Sequence, residues 1–121
     1  MKPEWLIIDG YNVLHQNESL AELIRTDLQG ARHRLVRQIE NTAHRMAPQT
    51  TIVFDGREAG GDASLTSTHL EVCFSPGNLS ADTVIERLVT KFTAPGKILV
   101  VTSDHAEHVT VSSAGAQVMS S

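Results

Sequence analysis

Residues 5–15 read WLIIDGYNVLH. Four apolar residues run without a break and stop on a carboxylate, Asp9. A continuous apolar run this short, rich in isoleucine, is the pattern of a strand covered on both faces. Gly10 offers a turn, and Asn12 would come back beside Asp9 before hydrophobicity resumes at Val13 and Leu14. An acid and an amide at the end of a buried strand are either turn formers or the opening of an active site.

The rest of the chain repeats the first strand's grammar. Apolar runs recur at 51–55 (TIVFD), 69–74 (HLEVCF), 97–102 (KILVVT) and 116–119 (AQVM), with the first strand at 4–9. The third alternates, as an edge strand does, and the fifth is weak. Helical spacing lies between them. Ala31, Leu35, Ile39 and Met46 recur along 28–46 until Pro48 stops the helix. Leu20, Leu23 and Ile24 ahead of it predict a short extra helix. Ser80 caps a helix over 81–92 whose apolar face is Val84, Ile85, Leu88, Val89 and Phe92. A third helix spans about 104–114, with Ser103 as its cap and Gly115 beyond its end. Residues 56–68 hold three glycines and no apolar period, and read as a mobile loop. Strands alternating with helices predict an α/β fold of three layers, a mainly parallel five-stranded sheet flanked by helices, in one domain over 1–121.

The acids fall in a pattern. Asp9 ends strand one, Asp55 ends strand two, Asp82 opens the helix after strand three, and Asp104 follows strand four. In an open parallel sheet these places share one edge, beyond the carboxyl ends of the strands, where such folds bind ligands. Converging carboxylates repel and raise one another's pKa. A divalent cation with a taste for hard oxygen, Mg²⁺ or Mn²⁺, removes the objection. Glu86 stands one turn after Asp82, on the same helix face. Each acid alone could be a turn or helix cap; four on one edge are harder to explain that way.

The segments DGYN (9–12), GARHRL (30–35), IVFDG (52–56), SADTVIERL (80–88) and VVTSD (100–104) together resemble the NYN branch of the PIN-like nucleases. Within that branch the sequence resembles the YacP-like bacterial endoribonucleases, over nearly the whole chain. Serine at position 80 replaces a threonine common in the family, and related chains usually run past the last strand into a helical segment, where this sequence stops at Ser121. The resemblance implies a PIN-like, Rossmann-like fold and a catalytic centre of Asp9, Asn12, Asp82 and Asp104, with Asp9, Asp82 and Asp104 holding Mg²⁺ or Mn²⁺. It implies supporting roles for Asp55 and Glu86, for Thr102 and Ser103 as orienting or phosphate-touching groups, and for Arg32 near the pocket. The activity implied is metal-dependent hydrolysis of single-stranded RNA, messenger RNA in connection with the ribosome.

Composition sets the remaining expectations. A formal net charge of −4 argues against gripping nucleic acid by bulk charge. RNA would instead meet local basic groups: Arg34, Arg37 and Arg45 on the polar side of the long helix, Arg57 opening the glycine loop, and Tyr11 as the aromatic placed to stack on a base. The bland alternatives are a solvated helix face and a ring packed under the loop. A single cysteine, Cys73, excludes an internal disulfide and reads as a small buried hydrophobe. His105 and His108 could contribute to a histidine metal site. No secretory signal or membrane-length apolar run is present, and a cytoplasmic protein is expected. Two other classes compete. A PIN-like fold could serve as a non-catalytic module binding RNA or a partner. A phospho-receiver domain would use Asp55 as acceptor, although the acid pair and the lysine of that class are missing.

Overall fold

The computed structural model describes residues 2–55, 60–61, 67, 69–76 and 78–120. Strand β1 (Trp5–Asp9) leads into three helices, α1 (Gly10–Gln16), α2 (Glu18–Thr26) and α3 (Leu28–Ala43). Strand β2 (Gln49–Phe54), the two-residue β3 (Gly60–Gly61) and β4 (Leu70–Phe74) follow. The chain then forms α4 (Ala81–Lys91), a 3₁₀ turn at Pro95–Lys97, β5 (Ile98–Val101), α5 (His105–Ser113) and β6 (Gln117–Met119).

The sheet order is β3-β4-β2-β1-β5-β6. β1 pairs in parallel with β2 and β5, β4 with β2, and β6 with β5. The five expected strands are therefore all parallel. Gly60–Gly61 adds a short antiparallel strand against Cys73 and Phe74. That pairing lies inside the segment expected to be loop throughout; two glycines carry no apolar signal to reveal it.

The double covering read from WLII holds because a strand sends successive side chains to opposite faces. Leu6 and Ile8 join Leu14, Leu20, Leu35, Ile52, Phe54 and Val72 under α1–α3. Ile7 joins Val53, Ile85, Val89, Val100 and Val111 under α4 and α5. By the same alternation Asp9, two residues after Ile7, points to the α4–α5 side. Burying large side chains on both faces stabilises at roughly 25 cal/mol per Å² of apolar surface.

The turn expected at Gly10 is instead the first residue of a helix. Asp9 caps α1, its carboxylate accepting from the Asn12 N–H. Glycine is required there for a packing reason: a Cβ on Gly10 would sit 2.4 Å from Phe54 Cε1. Gly115, expected just past the last helix, has φ +104° and ends α5 in the left-handed region. Cys73 is half-buried, with Sγ 3.3 Å from Glu71 Oε1. Burial, reinforced by that carboxylate, pushes its thiol up to about 12, so it is not a poised nucleophile.

Candidate metal centre at the carboxyl edge

β1 is central, and the chain leaves it toward β2 and β4 before returning on the far side to β5. This makes the crevice beyond β1 and β5 the switch point of the sheet. Asp9 stands at its base, only 8% exposed. Asp82 reaches it from the first turn of α4 and Glu107 from the first turn of α5. One carboxylate oxygen from each of Asp9, Asp82 and Glu107 lies within 4.8 Å of the others.

Glu107 is the residue sequence reading passed over. It is 3% exposed, and its Oε2 accepts from Thr102 Oγ1 at 3.0 Å. Its Oε1 is buried and receives no N–H or hydroxyl donor. Burial first, then the hydrogen bond and charge of Asp9, push its carboxyl up to about 8. Asp9 is also raised, chiefly by burial, with Asp82 and Asp55 adding charge repulsion against the bonds it accepts. Two buried carboxyls side by side share a proton, and that proton belongs to the pair. The donor set is wholly hard oxygen; such a set suits Mg²⁺ or Mn²⁺.

The neighbouring residues hold these acids in place. Asp104 is the N-cap of α5, and its Oδ1 accepts from the Glu107 N–H at 3.0 Å. Thr102 is fully buried; its hydroxyl also accepts from the Asp104 N–H at 3.1 Å. Asn12 Oδ1 accepts from the Ser103 N–H at 2.7 Å, and the Asn12 N–H donates to Asp9 at 3.4 Å. Asp9, Asn12, Ser103, Asp104, Thr102 and Glu107 thus form a chain of bonds that locks α1 against the start of α5. Asp55, at the end of β2, accepts from the Ala81 N–H at 2.7 Å and from Ser75 at 3.4 Å. It seats the start of α4, one residue before Asp82, alongside the Ser80 cap.

Of the acids expected at this edge, the structure therefore brings Asp9 and Asp82 together and adds Glu107. Asp104 and Asp55 sit at the same edge as caps, and Asp104 is not one of the three clustered oxygen donors among the described residues. Glu86 is exposed and lines a small cleft of about 130 Å³ between α4 and α5, with Asp82, Glu107 and Thr110. Expected to cap α5, Ser103 instead precedes the true cap by one residue. His108 Nε2 hydrogen-bonds the Thr102 carbonyl and His105 is exposed, so neither joins the carboxylate cluster.

On the other face, Tyr11 packs edge-on against Phe54 at 5.3 Å, and its hydroxyl accepts from Arg32 Nε at 3.0 Å and from Arg32 Nη2. The Arg32 guanidinium lies over Tyr11, Phe54 and Phe74, 5.0–5.8 Å from the ring centres. Tyr11 and Arg32 are thus partly occupied with each other. Arg34 and Arg37 are exposed on α3, and Arg45 is exposed in the turn just after it. Arg57 lies outside the described residues. Among the described residues no helix is long and apolar enough to cross a membrane.

A central β1 flanked by parallel neighbours, with acids from three segments at its carboxyl end, places the domain in the PIN-like class of nuclease folds. The chain belongs to the YacP-like NYN domain family, which it matches over residues 6–121. It is similar to the uncharacterized protein YacP of Bacillus subtilis (strain 168), at 28% identity over 113 residues, covering 92% of this chain and 66% of that protein. A crystal structure of Rae1 (YacP) from Bacillus subtilis superposes with TM-score 0.74 at 29% identity, covering 97% of this chain and 68% of that one. A mutant of the same protein gives TM-score 0.77 at 28% identity, covering 97% and 69%. The chain spans about two thirds of the length of these relatives.

Proposed function

We propose that this domain is a metal-dependent endoribonuclease that hydrolyses phosphodiester bonds of single-stranded RNA. The observation that carries the reading is the meeting of Asp9, Asp82 and Glu107 oxygens within 4.8 Å at the switch point of a nuclease-class fold. Those three would hold Mg²⁺ or Mn²⁺. When bound, such a cation polarises the scissile phosphate and lowers the pKa of the attacking water.

The chain's own residues do the rest. Thr102 and Asp104 fix the rotamer and backbone of Glu107. Asn12 ties Asp9 to the loop at Ser103, and the Asn12 amide adds polarity without more negative charge. Glu86, on the rim of the adjoining cleft, is a supporting acid. Exposed Arg37 and its neighbours on α3, with Arg57, would track the RNA backbone, and the Tyr11–Arg32 pair would set the other wall. Messenger RNA as substrate and the ribosome as partner belong to this proposal through the family resemblance, as does a cytoplasmic location.

A non-catalytic binding module is the second reading, favoured by the engagement of Asp104 in capping. One assay separates them: purified protein on single-stranded RNA with Mn²⁺ or Mg²⁺, beside Asp9→Asn and Asp82→Asn. The parent should cleave internally and each variant should lose at least about two orders of magnitude in rate. Binding without cleavage by all three proteins would select the second reading.

A further inference from the structure

At the opposite end of the sheet, where β1 and β2 begin, lies a groove of about 500 Å³. Trp5 and Phe92 form an apolar wall, their rings 5.3 Å apart and 65° from parallel. Trp5 Nε1 donates to Thr51 Oγ1 at 2.9 Å, which pins the indole. Helix packing on this face centres on Ile7, Val53, Ile98 and Val100, closer to β5. Thr51 and Glu71, paired across β2 and β4, are left side by side in the groove. Glu4 lines it from the other end.

The charge here is lopsided. Lys97 Nζ lies 3.4 Å from Glu4, but both side chains are about half exposed, at 43% and 57%. Such a pair is weak and readily exchanged. Glu71 has no ion-pair partner among the described residues. An anion is excluded by the two carboxylates, and a bare divalent ion gains nothing from an aromatic wall. A stem of methylene groups suits that wall, an ammonium beside an indole gains cation–π attraction, and further ammonium groups suit the acids. The volume is that of a small-molecule site.

We infer that this groove binds an aliphatic oligoamine: a flexible hydrocarbon stem carrying two or more ammonium groups. The inference is independent of the RNA-cleavage reading, because Asp9 lies about 13 Å further along β1, at about 3.3 Å per residue.

Trp5 is the only tryptophan in the chain, so intrinsic fluorescence reports on the groove directly. Spermidine titrated into the full chain, with n-butylamine, 1,6-hexanediol, Mg²⁺ and a lysine-rich peptide as comparisons, should give a saturable change in emission. Spermidine should bind about tenfold more tightly than n-butylamine, and Glu71→Gln and Glu4→Gln should each weaken it about tenfold, one charge-assisted bond being worth that factor. Both glutamates are exposed, and far-ultraviolet dichroism checks that the variants stay folded. No saturable change, an equal response to Mg²⁺ or n-butylamine, or indifference to both substitutions overturns the inference. Much tighter binding of the peptide than of spermidine also overturns it, in favour of a protein partner.

Discussion

Replacing Glu107 by glutamine should make the metal-free protein more stable at neutral pH while abolishing its response to metal. The reason is proton linkage. Glu107 has an ordinary value of 4.5 and is pushed up to about 8 in the fold, so the folded state holds a proton that the unfolded chain releases. A raised value means that the associated stability is fully present below about pH 4.5 and is lost as pH climbs toward 8. By pH 7 the loss has a ceiling of about 3 kcal/mol. Water and ions reach the mouth of the cleft, which reduces the figure to about 1–2 kcal/mol. Glutamine has nearly the same shape, can still accept from Thr102, and can donate its amide to Asp9 as the shared proton does. It never ionises. In EDTA, thermal unfolding followed by circular dichroism should show the parent and Glu107→Gln converging at pH 5. They should diverge toward pH 8, where the variant melts about 4–8 °C higher. Adding Mn²⁺ at pH 8 should raise the melting temperature of the parent and leave the variant nearly unmoved. Burial of Glu107, reinforced by its pairing with Asp9, is the basis of the sign. A difference between the two proteins that stays constant from pH 5 to 8 would refute it.

Three further outcomes follow from the same geometry. Binding of Mn²⁺ near pH 7 should release about one proton from the Asp9–Glu107 pair, measured by calorimetry in buffers of different ionisation enthalpy; no buffer dependence would count against a shared proton. Asn12→Ala should cost about 1–2 kcal/mol in a denaturant melt, because the bond from the Ser103 N–H to Asn12 is lost, and should lower metal-dependent cleavage more than Asn12→Asp does. Gly10→Ala forces a methyl group to 2.4 Å from the Phe54 ring and should destabilise by roughly 2–3 kcal/mol, with Phe54→Leu in the same chain recovering part of the loss.

How much of this was legible in the sequence depends on what each feature needed. The five parallel strands and the acids at their ends were legible because they rest on runs of neighbouring residues: four apolar side chains in WLII are enough to specify a doubly covered strand. Asp9 and Asp82 follow from that, since each stands within two residues of a boundary that hydrophobicity marks. Glu107 needed something finer. With Ser103 as the cap of α5, the third helical position falls on Ala106; with Asp104 as the cap it falls on Glu107. One residue rotates a helix by about 100°, which decides whether Asp104 or Glu107 faces Asp9. Two signals were present in the string. D-x-x-E has the spacing of a capping box, and Glu107 lies four residues before Val111, on the buried side of its helix, where a glutamate is rarely left without a purpose. Tyr11 and Arg32 were beyond any such signal. Twenty-one residues apart, they meet only because Phe54 and Phe74 end adjacent strands and offer one aromatic floor to both. The consequence is mechanistic. Ser103, read as a cap, is a tether whose N–H holds Asn12, and Asp104 is the cap that sets the phase of α5. One residue of helical phase therefore decides which carboxylate, Asp104 or Glu107, joins Asp9 and Asp82.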